Sequence, residues 1–162
     1  MGIRKTRKYE LPILMDLFAH AREFMAEHGN AYQWGHNNWP HEDVVAKDIE
    51  DGNSYVITYK GEIVGTFFFV HGTHAEPCYD EIEGSWAYDG DYGVIHRIAS
   101  SGKKKGILKE AVEFALERCQ HVRIDTHEDN VVMRNALAAL GFAQRGTVHV
   151  EHDAVERIAY EL

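Results

Sequence analysis

The stretch SYVITYKGEIVGTFFFVHG, Ser54 to Gly72, limits the fold more than any other part of the chain. Two runs rich in β-branched and aromatic residues flank Lys60-Gly61, which reads as a hairpin turn. Such residues fit a pleated, half-buried surface, so the chain must build a sheet. Helical patterns surround it. From Glu10 to about His28, Leu14, Leu17, Phe18, Ala21, Phe24 and Met25 form a stripe at helical spacing. Pro12 falls in the first turn, where a missing amide proton does no harm, and Gly29-Asn30 ends the run. His41 to Asp51 reads as a second, short helix stopped by Gly52-Asn53.

Tyr92 to about Ser100 reads as a further strand, and Gly106 to Gln120 as a helix. Leu108, Ala111, Val112, Ala115 and Cys119 share a face of that helix, with Ile107 and Phe114 beside it. HVRIDTHEDN gives a strand with Val122, Ile124 and Thr126 on one side. Asp129 or Asn130 can cap the next helix, which runs to Leu140 and stops at Gly141. A last hairpin covers Phe142 to Glu161 and turns at His152-Asp153. Ile3 to Lys8 is either an edge strand or a basic tail. Residues 72 to 91 read as irregular and acidic, with Glu76, Asp80, Glu81, Glu83, Asp89 and Asp91 and no Lys or Arg. The order is a mixed α/β pattern on a central sheet. With 162 residues and no repeat or linker, a single domain over residues 1–162 is expected.

A formal charge of −9 and a pI near 5.6 disfavour general nucleic-acid binding, which needs a basic surface, and suit a cationic substrate. No uncharged apolar run is long enough to span a bilayer, so no membrane partner is expected. MGIRKTRKYEL is basic but has no apolar signal segment after it. The expectation is a cytoplasmic protein in which Cys78 and Cys119 are reduced thiols.

Against this acidic background, IASSGKKKGILKEAVEFALERC (Ile98–Cys119) gathers Lys103, Lys104 and Lys105 where a strand passes into a helix. A helix start presents unpaired amides and partial positive charge, and a glycine there lets a bulky anion come close. If Gly106 opens the helix, amides from about Lys103 to Leu108 form a cradle for a polyanion. The residues alone leave a solvated lysine run equally open.

IHRIASSGKKKGILKEAVEFA followed by VRIDTHEDNVVMRNALAALGF resembles the GCN5-related N-acetyltransferases, the GNAT superfamily. Their pattern is a strand, R/Q-x-x-G-x-G/A opening a helix, then a later strand and an Asn-capped helix ending in Gly-Phe. Element order matches over nearly the whole chain, and the specific motifs over roughly residues 92 to 142. The resemblance implies a GNAT-like α/β (α+β) fold, with a mixed, mostly antiparallel central sheet and helices on both faces. It implies acetyl-CoA as the acyl donor and an amine-bearing acceptor. Lys103 stands at the Arg/Gln position, Gly106 at the first glycine and Leu108 at the Gly/Ala position, with Lys104, Lys105 and Ile107 completing the loop. Ile98 and Ser100 would offer backbone groups to the pantetheine arm, and Asn130 its side chain. Many relatives pair through sheet edges, which makes a homodimer plausible by analogy.

Amine acylation needs a neutral nucleophile and a donor for the developing oxyanion. The resemblance gives the second role to the amide near Ile98. For the base, His96 is favoured; period-two alternation puts it on one side of the strand with Val94, Ile98 and Ser100. Glu128, with His127, is the weaker catalytic candidate after the next strand. The tyrosine that serves many relatives as general acid is replaced by Leu137, and Tyr92 and Tyr160 are unselected alternatives. That replacement and Leu108 together motivate a rival reading, a non-catalytic acyl-CoA-binding or sensing module. Trp34, Trp39, Trp86, Tyr88 and Tyr92 accompany acidic or polar segments and would suit a cationic amine. Among 11 histidines, His71-x-x-His74 near Cys78 and His149-x-x-His152 hint at metal, but neither has a third ligand at matching spacing, and no metal is expected.

Overall fold

The computed structural model describes all 162 residues. Eight strands form one sheet: β1 Gly2–Lys5, β2 Ser54–Tyr59, β3 Glu62–Gly72, β4 Glu83–Gly84, β5 Tyr92–Ser100, β6 Val122–Thr126, β7 Ala143–Val148 and β8 Arg157–Glu161. Their spatial order is β1-β2-β3-β5-β6-β8-β7-β4, and β5–β6 is the only parallel pair. The helices are α1 Leu11–Glu27, α2 Glu42–Glu50, α3 Ile107–Leu116 and α4 Val131–Ala139. None is long and apolar enough to cross a membrane.

The β2–β3 hairpin turns at Lys60-Gly61, with φ of +51° and +76°. Positive φ at both central residues gives a turn whose twist matches that of the strands it joins. The N-terminal segment is the edge strand β1, paired to β2 from Gly2↔Thr58 to Lys5↔Tyr55. The acidic segment is more ordered than its sequence suggests. It holds a 3₁₀ turn over Pro77–Glu81 and the two-residue β4, which pairs with β7. Two residues cannot display a period, which is why β4 escapes sequence reading.

Helices cover both faces. On one, α3 and α4 bury Ala111, Val112, Phe114 and Leu137 against Phe67, Phe69, Ile95 and Ile124 of the sheet. The Phe114 ring stands 4.7 to 5.7 Å from Tyr55, Phe67 and Phe69, in edge-on or tilted contacts. On the other face, Leu14, Leu17 and Phe18 of α1 and Val45 of α2 pack with Trp34, Trp39, Val56 and Ala99. Leu137 is fully buried, so the position where the resemblance leads one to expect a tyrosine is here part of the core. Leu108 also packs against the α3-side core.

A bulge in β5 alters the predicted alternation. Thr66 faces Ala99 and Phe68 faces His96, so Arg97 and Ile98 together lie opposite Phe67. Arg97 takes the left-handed φ of +46°. Its guanidinium is fixed by two bonds to Asp48 of α2, at 2.6 and 2.8 Å, and lies 4.4 Å over the Phe68 ring. The extra residue reverses the facing that follows. His96 stacks with Phe68, whereas Ile98 packs on the α3-side core and Ala99 on the α1–α2 side. His96 and Ile98 therefore do not share a side, as strict alternation had them do.

The parallel β5–β6 ladder consists of only two pairs, Gly93↔Val122 and Val94↔Arg123. At Gly93 a Cβ would fall 2.7 Å from Cys119 Sγ and 2.8 Å from Phe69 Cε1. Gly93→Ala is expected to destabilise the fold by ~1–3 kcal/mol through overpacking, read as a lower urea midpoint with unchanged slope.

Candidate active site

Past those two pairs β5 and β6 diverge, and a cavity of about 540 Å³ opens between them. Ile95 to Ile98 line one side and Ile124 to Thr126 the other. The bulge thus delivers the Ile98 backbone to the gap, and the His96 ring lines the same cavity.

His96 stands between two carboxylates. Its Nε2 is 3.4 Å from Glu76 Oε1 and its Nδ1 is 3.7 Å from Asp125 Oδ2. Nε2 is buried and out of alignment with Glu76, so it has no hydrogen-bond partner. Asp125 is already held by Tyr79, whose hydroxyl donates at 2.6 Å, and by Arg157 at 3.2 Å. Burial would raise Asp125, but His96 whenever it is protonated, the Arg157 charge and the Tyr79 hydroxyl hold it below its ordinary value. Burial would likewise raise Glu76, but His96 and then the Cys78 thiol, which donates to it at 3.3 Å, hold it low. The Cys78 thiol is pushed far up by burial and then by Glu76, so it is not a nucleophile near neutral pH.

Arg157 ties this group to the β7–β8 connection. It donates to Asp125 and, at 3.3 Å, to Asp153, and Asp153 also meets His127 Nε2 at 2.6 Å. The His152 ring stacks on Trp39 at 3.7 Å between centroids, and its Nε2 accepts from Arg157 at 3.1 Å. Trp34 and Trp39 are buried and line the cavity on the α1–α2 side.

A second region adjoins the end of β5. Gly102 and Gly106 have φ of +79° and +86°, and nothing lies within 4 Å of a Cβ built on Gly106. The amides of Gly102 and Lys103 are taken by the hydroxyls of Ser100 and Ser101. From Lys104 to Lys109 no backbone N–H finds a partner within the chain, and the next, Glu110, bonds back to Gly106. The free amides therefore begin one residue later than the sequence suggests and run one residue further. Lys103 pairs with Glu62, and Lys104 lies 4.8 Å over the Tyr59 ring. Lys105 is exposed and unpaired.

Of the residues singled out by sequence, His96, Ile98 and Asn130 line the cavity, while Ser100 and Lys103 to Leu108 form the adjoining loop. Asn130 is the α4 cap: its Oδ1 accepts from Met133 N, and its Nδ2 donates to Gln33. Glu128 is exposed on the turn after β6 and does not line the cavity. His127 is turned to Asp153 instead. Trp86, Tyr88 and Tyr92 lie elsewhere: Trp86 and Tyr92 sandwich Arg123, and Tyr88 stacks on His121. Tyr160 is buried, and its hydroxyl accepts from Arg134 outside the main cavity. His149 and His152 do not converge, since His152 belongs to the cavity and His149 joins Glu83 and Glu156 on the surface. Sequence reasoning missed Glu76, Tyr79, Asp125 and Arg157. Glu76 was one acid among six, and Arg157 gives no local signal.

A model of the acetyltransferase (GNAT) family matches residues 14–142. A sequence comparison with curated proteins gave no match. Among solved structures, a GNAT-family acetyltransferase from Streptococcus agalactiae is 29% identical with a TM-score of 0.84, over 99% of this chain and 93% of that one. One from Listeria monocytogenes is 19% identical with a TM-score of 0.71, over 99% and 93%. RimJ of Mycobacterium smegmatis, solved with CoA-disulfide, is 17% identical with a TM-score of 0.59, over 99% and 80%.

Two outcomes follow from the buried network. Arg157→Leu leaves Asp125 and Asp153 without their shared cation, and is expected to cost ~3–5 kcal/mol in urea unfolding. Burial, then the Arg157 charge, lower the His152 imidazole from 6.5 to about 4. The unfolded chain therefore binds a proton that the folded chain refuses. The stability from the neutral ring is complete above the unfolded value and drains away as pH falls toward the folded one, by on the order of 3 kcal/mol at most. His152→Phe is expected to keep the stack on Trp39 and to flatten the dependence of unfolding free energy on pH between about 7 and 4.

Proposed function

Because the chain belongs to the GNAT acetyltransferase family, we propose that it moves an acetyl group from acetyl-CoA to a primary amine by direct attack in a ternary complex. The reading is supported above all by one juxtaposition. A run of unpartnered amides at Lys104–Lys109 adjoins a strand gap that holds an imidazole with a free, buried nitrogen.

In this reading the diphosphate of acetyl-CoA rests on those amides, where Gly106 leaves room and Lys105 adds charge. Lys103 and Lys104 are released to it from Glu62 and Tyr59. The pantetheine arm follows Ile98 and Ser100 into the gap beside Asn130. Asn130 has both side-chain groups engaged, so its part is to hold the α4 start in place and lend Nδ2 when Gln33 yields it.

The acceptor arrives as an ammonium and gives one proton to His96 Nε2. The neutral amine nitrogen then forms a bond to the thioester carbon, and the Ile98 amide steadies the oxyanion. The C–S bond breaks, the amide product sheds its remaining extra proton, and the CoA thiolate takes one up. Leu137 offers no proton, and the Tyr79 hydroxyl is committed to Asp125 and raised by burial and that charge. The proton held on His96 is therefore the thiolate's source, passed directly or through water, which returns the imidazole to its neutral form, while the proton shed by the product goes to water. Family membership favours this enzyme over a purely sensing module.

His96→Gln is expected to lower kcat by ~10²–10⁴-fold with little change in KM for acetyl-CoA. Gly106→Asp is expected to weaken CoA binding by an order of magnitude or more, since the left-handed φ resists a side chain and the carboxylate repels the diphosphate. Thiol-release kinetics over an amine panel and calorimetry with CoA read the two. Equal CoA affinity in Gly106→Asp, or no turnover of any amine, would remove the proposal.

A further inference from the structure

Gln33, in the segment between α1 and α2, is only 4% exposed and lines the cavity. Its Oε1 gathers four donors: Asn30 Nδ2 at 3.0 Å, Thr126 Oγ1 at 3.2 Å, and His127 N and Asn130 Nδ2 at 3.3 Å. Two of these leave no choice of orientation. A backbone N–H only donates, and Asn130 must present Nδ2 because its Oδ1 accepts from Met133 N. The Gln33 amide therefore cannot be turned over: its oxygen faces the corner where β6 passes into α4, and its Nε2 is turned the other way. That nitrogen bonds nothing in the chain and, unlike His96 Nε2, is not sealed off. On a residue so deeply buried, its open side is the cavity. An amide donor left without a bond in such a place is costly, which marks it for a ligand.

The wall on which Gln33 stands selects the group it meets. Thr126 and Asn130, both bonded to Gln33, border the gap on the β6 side, and the Ile98 backbone borders it on the β5 side. Resting on the transferase reading above, a thioester in the gap turns its carbonyl oxygen to the Ile98 amide, which leaves its sulfur for the opposite wall. Negative charge develops on the oxygen first and passes to the sulfur as the C–S bond breaks. Leu137 offers nothing to that second charge, and the Tyr79 hydroxyl is committed to Asp125. We infer that Gln33 is a further catalytic residue: its Nε2–H donates a hydrogen bond to the thioester sulfur and stabilises the CoA thiolate. Gln33 keeps its own proton; the sulfur takes the electron pair of the C–S bond and then the proton held on His96. The crowded oxygen suits this role, because three donors still fix the amide when Asn130 Nδ2 turns to the pantetheine arm.

Nuclear magnetic resonance of the side-chain amides tests the contact. Gln33→Glu keeps an oxygen for all four donors and removes the N–H, so it is expected to fold, and its missing signal identifies the Gln33 pair. Through-bond assignment of the native protein gives the same signal should that variant not fold. In the native protein with CoA, a Gln33 Nε2 proton is expected to move downfield as the bound thiol ionises. With desulfo-CoA, which lacks the sulfur, it is expected to stay in place. In Gln33→Glu, kcat is expected to fall at least ~10-fold, with KM for acetyl-CoA within about threefold of native and no loss of urea midpoint. An amide that ignores thiol ionisation, or moves alike with desulfo-CoA, overturns the inference and leaves the transferase reading standing, and so does an unchanged kcat. A fall in kcat without the amide movement reports only the added charge and also overturns it. Absence of turnover with every amine overturns the transferase reading instead. The amide response then still decides: movement with CoA alone supports the bond from Gln33 to sulfur, and no movement refutes it.

Discussion

Two residue pairs join β5 to β6, and the cavity that His96 lines opens where the third would be. A parallel pair allowed to continue would bury its backbone groups in a ladder and leave no gap for an acyl chain. Three residues past the last pair, β5 carries one residue too many against β3, and that residue, Arg97, is held in a left-handed conformation. A non-glycine residue there is strained, and its surroundings must enforce the geometry. Here the enforcement is visible: two bonds to Asp48 and a ring beneath the guanidinium. Burial pushes the Asp48 carboxyl up although Arg97 acts against it, so the pair is better seen as a positional clamp than as a strong source of stability.

The same gap explains the polar network behind it. Opening a sheet exposes the inner side of β6, where Asp125 would be an unpaired buried charge. Tyr79 from the acidic segment and Arg157 from β8 converge on it, and Asp153 and His127 extend the network along the β7–β8 connection. Three distant stretches of chain are thereby locked around one imidazole. The network is why the 72–91 segment, which reads as loose and acidic, supplies both a fully buried tyrosine and a carboxylate facing His96.

Local signals made most of the architecture legible in the sequence. The Lys60-Gly61 turn, Pro12 in the first turn of α1, the Asn130 cap and the stop at Gly141 each follow from short-range stereochemistry, and element order followed from them. The loop before α3 was legible because its glycines and lysines lie side by side. What escaped depends on contacts between remote residues. A bulge is a relation between two strands, so alternation along β5 alone placed Ile98 beside His96, and pairing with β3 reversed it. Glu128 looked apt from its position after a strand, yet the turn carries it outward, while Glu76 reaches His96 from about twenty residues upstream of it in sequence. The departure at Leu108 also reads differently in three dimensions, because its side chain packs on the core.

The central claim is that the strand gap and the free amides before α3 form one continuous seat for a thioester cosubstrate. A crystal structure of the protein with CoA tests it most directly. The account requires the diphosphate on the amides between Lys104 and Lys109, and the sulfur in the gap beside the Ile98 backbone and within reach of His96. CoA bound outside the gap, or a β5–β6 ladder that closes when CoA is present, would contradict it.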